Sequence, residues 1–177
     1  MKFGALDFVE ATTRPKLVAP VTLAAIQAQQ LPDVWVAEID TALADTAAFC
    51  EAYNVGMDVS ANCVIVEAKR ADKTWHAACM ILATDRVDVN GIVRRHLDAR
   101  KISFARMDNA TEMTSMEYGG INPIGLPEGW EILVDTAITK KPWVIIGSGI
   151  RGSKILIPGA LLAKLPHVTV LDIAKKA

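Results

Sequence analysis

Cysteine is scarce in this 177-residue chain, and Cys50, Cys63 and Cys79 form an odd, widely spaced set with no C-x-x-C pair. That pattern argues against a disulfide framework or a cysteine-rich metal site and leaves reduced thiols among apolar neighbours. An excess of one charge is lacking too. Nineteen Lys and Arg stand against 20 Asp and Glu, for a formal net charge of -1. No bulk positive field carries the chain onto DNA, so any RNA contact has to be local. No apolar run approaches membrane-spanning length, and Asp7 and Glu10 interrupt the opening decapeptide where a signal peptide needs an apolar core. A soluble, cytoplasmic protein with no membrane partner is expected. Also missing are a G-x-G-x-x-G fingerprint, a P-loop, a nucleophile elbow and a metal-binding helix motif. His76, His96 and His167 are scattered and read as strand or surface residues, so neither a metal nor a cofactor is expected.

What is present is a chain that is 51% hydrophobic, which excludes intrinsic disorder and suffices for one substantial core. Residues 1–19 lack periodicity and read as an irregular N-terminal arm, with a single domain over 20–177. Helical spacing of Val21, Ala24, Ala25 and Ala28 ends at Leu31-Pro32-Asp33, and Val34–Ile39 reads as a strand. A helix with the stripe Ala48, Phe49, Ala52 and Tyr53 follows, capped by Asp40 or Thr41 and closed by Asn54. The runs 63–66 and 75–83 predict a hairpin across Lys69–Lys73. The second run is apolar throughout its latter half, which suits a strand covered on both faces. Asp88 starts a helix to about Leu97, strands are expected near 102–105, 131–135, 143–147, 154–157 and 168–171, and Pro158 opens a last helix. Without strict βαβ alternation, the pattern predicts an α+β fold: a curved, mixed, partly barrel-like sheet with helices around it.

The most distinctive stretch is Glu117-Tyr118-Gly119-Gly120-Ile121-Asn122-Pro123-Ile124-Gly125, three glycines and a proline between a short polar helix and a strand. Such a loop is rigid in path and open to a ligand, and its exposed N–H groups form either an anion-binding concavity or an ordinary multi-turn connection.

Several motifs in order resemble the YbaK/EbsC family, the prolyl-tRNA synthetase associated, INS-like editing domain, over residues 20 to 173. Ala44–Val55 is similar to the family's alanine-rich helix with its "lGv" turn. Thr114–Gly125 resembles "TGyxxGGvxPfG", Leu133-Val134-Asp135 the "iD" strand end, and Gly147-Ser148-Gly149 with Lys154–Pro158 the "aGs…i.l.p..l" ending. One departure stands out: Asn62 occupies the position of the lysine in the family's "vKsLv" strand. Asparagine keeps two donors but brings no charge.

The resemblance implies an aminoacyl-tRNA deacylase that edits in trans, hydrolysing the ester of a mischarged tRNA such as a small amino acid on tRNA(Pro). Its partners would be the aminoacyl-tRNA acceptor end and an aminoacyl-tRNA synthetase. The alternative is a non-catalytic module that binds tRNA or a nucleotide-like ligand after losing the lysine. The catalytic candidates are Asn62, the N–H groups of Gly119, Gly120 and Gly125, and Asp135, which either orients the substrate or caps a turn. Tyr118, Pro123, Gly147, Ser148 and Gly149 are candidates for the substrate wall. Arg94, Arg95, Arg100, Lys101, Arg151 and Lys154 are candidates for the tRNA.

Overall fold

The computed structural model describes residues 1–175, so the last two residues of the expected 20–177 unit lie outside the described residues. In chain order the strands and helices are β1 (Lys2–Phe3), β2 (Leu6–Asp7), β3 (Val9–Glu10), α1 (Pro20–Ala28), β4 (Trp35–Glu38), α2 (Thr46–Tyr53), β5 (Ala61–Arg70), β6 (Lys73–Leu82), α3 (Arg94–His96), β7 (Lys101–Phe104), α4 (Met107–Thr114), β8 (Glu131–Asp135), α5 (Thr136–Thr139), β9 (Val144–Gly147), β10 (Ser153–Ile157), α6 (Gly159–Leu162) and β11 (Val168–Leu171). The fold is mixed α+β, as expected. Its strands divide into a small β1-β2 hairpin, a four-stranded sheet in the order β3-β4-β10-β9, and a five-stranded sheet in the order β11-β8-β6-β5-β7. Within the larger sheet β11, β8 and β6 run parallel, whereas β5 is antiparallel to both β6 and β7.

The two larger sheets face each other across one core. Met80, Ala78 and Val134 from one sheet meet Val36, Ile146 and Ile155 from the other. β6 is the central strand of its sheet, and its alternate residues Ala77, Cys79 and Ile81 bury on the opposite face, under Val89, Val93 and Leu97. Burial on both faces explains the apolar run, because a strand alternates its side chains between faces. The outer face of the four-stranded sheet is covered by Phe49 and Cys50 of α2 and by Leu6 and Phe8 of the arm.

The segment expected as one helix from Asp88 begins as a π-helical turn, Val89–Val93, before α3. Asp88 caps it, accepting from the N–H groups of Gly91 and Ile92. Residues 1–19, expected to be irregular, carry β1, β2 and β3, and Val9 and Glu10 pair with Val36 and Trp35. Among the described residues, no helix is long and apolar enough to cross a membrane.

A parallel bridge between Ser60 and Ile145 draws the start of β5 to β9. This corner, where the two sheets meet, is closed by the N-terminus of α2 and by the glycine loop that follows α4.

Candidate functional site

α4 ends at Ser115 in the left-handed conformation, with φ +56. The chain then turns back toward the β9–β10 connection, where the Glu117 N–H donates to the Gly149 carbonyl (2.8 Å) and the Gly149 N–H to the Gly120 carbonyl (2.7 Å). Gly147 makes that approach possible, since a Cβ there would run into the Gly120 carbonyl oxygen. Farther along, Asn122 is fully buried and anchors the loop. Its amide donates to Thr22 Oγ1 (3.0 Å) and to Met116 Sδ (3.6 Å), while its Oδ1 accepts from the Ile124 N–H (2.7 Å). Thr22 Oγ1 in turn donates to the Ile124 carbonyl (2.9 Å). A buried, fully satisfied network of this kind fixes one path for the chain.

The anchored loop walls a cavity of about 170 Å³. Its apolar surface comes from Phe49, Ala61, Met107, Ile121, Ile145 and Ile146, and its polar groups from Asp45, Thr46, Ser60, Asn62, Gly119 and Lys154. Thr46 Oγ1 donates to Asn62 Oδ1 (2.8 Å), which leaves the two Nδ2 donors of Asn62 without an acceptor among the described residues. The N–H of Gly119, held at φ +79, likewise has none. Lys154 is only 6% exposed; its Nζ donates to the Ala44 carbonyl (2.8 Å) and lies 5.3 Å from the centre of the Phe49 ring. Burial pulls its pKa down from 10.5 to about 8, partly opposed by Cys50 and the Asp45 carboxylate and reinforced by Arg151. The thiol of Cys63 is pushed up chiefly by burial and further by Cys79, so it is not a thiolate nucleophile at neutral pH. At the rim, Arg151 Nη1 donates to the Tyr118 carbonyl (3.1 Å) and Nη2 to the Thr41 carbonyl (3.2 Å), with the guanidinium 5.3 Å from the centre of the half-exposed Tyr118 ring. Residues with free donors thus line a small apolar-walled recess, an arrangement suited to holding an acyl oxygen that gains negative charge.

A family model described as an aminoacyl-tRNA editing domain matches residues 40–165, which include every wall of this cavity. The chain belongs to the aminoacyl-tRNA editing domain family. Solved structures share this editing-domain fold. A candidate trans-editing enzyme for prolyl tRNA synthetase has a TM-score of 0.76 at 15% identity, covering 90% of this chain and 99% of its own. A hypothetical protein has a TM-score of 0.77 at 18% identity over 88% and 99%. A scaffold protein used for epitope grafting has a TM-score of 0.77 at 14% identity over 89% and 97%. No curated protein matches the chain.

The editing domain brings Asn62, Tyr118, Gly119 and Gly147 together at the cavity. Other expected residues stand elsewhere, for local reasons. The Gly120 N–H is taken by the Glu117 carbonyl (2.9 Å). Pro123 and Gly125 lie beyond the Asn122 anchor, in a separate concavity with Leu126, Pro127 and Trp130. Ser148 is buried behind the wall, where its hydroxyl and that of Ser153 bond each other (2.7 Å), and Gly149 packs against Ala19. Asp135 is not at the cavity. Its Oδ2 caps α5 at the Ala137 N–H (3.1 Å), and its Oδ1 accepts from the N–H groups of Ile173 (2.9 Å) and Ala174 (3.2 Å). Lys154, expected on the tRNA-facing surface, is instead a buried part of the cavity wall. Arg94, Arg100 and Lys101 line a second, open concavity with Lys69 and Glu67, while Arg95 is exposed on α3. Asp45 and Thr46, at the start of the Ala44–Val55 motif, and Met107 are cavity residues that were not among the site candidates. Thr46 and Asn62 meet only because α2 folds over the start of β5.

Proposed function

We propose that the protein is an aminoacyl-tRNA deacylase that acts in trans on mischarged tRNA. The observation that carries this reading is that Asn62 and Gly119, whose donors have no acceptor among the described residues, line one small, apolar-walled cavity. Water, positioned by the vicinal ribose hydroxyl, attacks the ester carbonyl carbon. The carbonyl electron pair moves onto oxygen, which those donors stabilise more strongly than they do the neutral ester. Collapse breaks the bond to the ribose 3′ oxygen, which leaves with a proton from the attacking group. The products are a free amino acid and uncharged tRNA. An ester carries its own good leaving group, so positioning and charge stabilisation do most of what the reaction needs.

A recess of about 170 Å³ is smaller than the roughly 300–1,000 Å³ of most small-molecule sites. It supports a preference for small side chains, with Met107, Ile121 and Ile146 as the excluding walls. The terminal adenosine stacks on Tyr118 beside Arg151, and Arg94, Arg95, Arg100 and Lys101 are the proposed phosphate contacts along the acceptor end. Likeness to the candidate trans-editing enzyme for prolyl tRNA synthetase points first to tRNA(Pro), with that synthetase as a partner.

The test is ester loss from a panel of mischarged tRNAs, beginning with alanyl- and cysteinyl-tRNA(Pro), on addition of the purified protein. Hydrolysis above a buffer control supports the reading, and none across the panel overturns it. The uncharged Asn62 favours one rival, a binding module without catalysis. If Asn62→Lys alone hydrolyses and the natural chain does not, the rival holds.

A further inference from the structure

Lys154 sits on β10, an inner strand of its sheet, opposite Ala37 on β4 and Gly147 on β9. The residues that follow it, Ile155, Leu156 and Ile157, are fully buried, and the strand pattern calls for another apolar side chain at this position. The ammonium there has one hydrogen bond, to a neutral carbonyl, and no carboxylate lies within 4.0 Å among the described residues. A buried charge without a counter-ion is costly, and one carbonyl and the Phe49 ring offset this one only in part. Three side chains on neighbouring elements act on it at longer range: Cys50 of α2 and Asp45 before α2 favour the charged form, and Arg151 of the β9–β10 connection opposes it. An ammonium has three donors, and the Ala44 carbonyl uses one. Lys154 lines the same small cavity as Asn62 and Gly119.

We propose that Lys154 is a catalytic residue of this cavity, its free N–H groups donating to the carbonyl oxygen of the bound ester and to the oxyanion that forms there. This deepens the deacylase reading and rests on it. Lys154 remains protonated throughout, and no proton is transferred by it. The cation that Asn62 lacks on β5 is then delivered to the same recess from β10. A second lysine at position 62 would press another ammonium against the first in about 170 Å³, so the two positions should be mutually exclusive rather than additive.

The experiment compares the natural chain with Lys154→Met, Lys154→Arg, Asn62→Lys and the double variant Asn62→Lys/Lys154→Met, each checked for folding by circular dichroism. Deacylation is measured on the panel member the natural chain hydrolyses best, and binding is measured with an adenosine ester of an aminophosphonate, an anionic tetrahedral mimic. Lys154→Met is expected to lose about 100-fold in kcat, the scale of one oxyanion donor. The double variant should recover about 10-fold over Lys154→Met, while Asn62→Lys alone gains nothing. The rate above the uncatalysed blank should fall as pH rises through about 8, and that fall should move to higher pH in Lys154→Arg. A Lys154→Met rate within about 3-fold of the natural chain overturns the role of Lys154 and leaves the deacylase reading intact. If the natural chain hydrolyses nothing, the deacylase reading fails and the phosphonate decides. Binding weakened about 10-fold in Lys154→Met keeps the lysine as the anion-facing group. Equal binding, or none by the natural chain, overturns it.

Discussion

Replacing Lys154 by methionine keeps the length and shape of the side chain, removes its charge, and makes a stability prediction independent of any substrate. Its pKa falls from 10.5 to about 8 on folding, a difference worth about 3 kcal/mol against the charged native state. The unfolded chain binds this proton more tightly, so the penalty is present in full below pH 8 and is relieved as pH rises from 8 toward 10.5. Between pH 7 and pH 9.5 the natural chain should therefore gain about 2 kcal/mol that Lys154→Met does not. At pH 7 the variant also gives up the bond to the Ala44 carbonyl, worth about 1 kcal/mol, so it should be about 1–2 kcal/mol more stable than the natural chain. Urea unfolding of both proteins at the two pH values, followed by circular dichroism, measures each quantity. A variant less stable than the natural chain at pH 7, or equal pH slopes for the two, would refute the picture of a buried ammonium without a counter-ion.

The remaining predictions concern the loop and the residues around it. Gly147→Ala should lower stability by about 1–3 kcal/mol and reduce deacylation, because its Cβ meets the Gly120 carbonyl; an unchanged melting temperature would mean that the loop yields freely. Asn122→Ala should cost about 2–4 kcal/mol, since it leaves the Ile124 N–H without its buried acceptor and opens space beside Thr22; denaturant midpoints measure it. Asp135→Asn should cost about 1–3 kcal/mol, because its amide has one acceptor oxygen for the two carboxylate sites and turns an NH2 toward either the Ala137 N–H or those of Ile173 and Ala174. A drop in kcat without a loss of stability would return Asp135 to the site.

Much of the fold was legible because its signals are local and repeated. β6 reads as central from its apolar run alone, and Asn54 does take the left-handed position after α2, with φ +53. The arm was not legible, because β1, β2 and β3 are two residues each, too short for any periodicity to register. At the site, sequence nearness misled in one place and residue type in another. Gly119 and Gly125 share a motif, yet the Asn122 anchor sends them to different concavities. A lysine suggests a solvated surface, and only the inner position of β10 shows that Lys154 is buried. Asp135 was readable as a turn cap, but not as the acceptor for Ile173, 38 residues away.

The central claim is that this cavity hydrolyses an aminoacyl ester. The most direct measurement is the release of amino acid from alanyl- and cysteinyl-tRNA(Pro), with the natural chain and Lys154→Met side by side. Deacylation by the natural chain that falls about 100-fold in the variant is the predicted result. Ester lifetimes equal to the buffer control with the natural chain, on these substrates and across the rest of the panel, would contradict it.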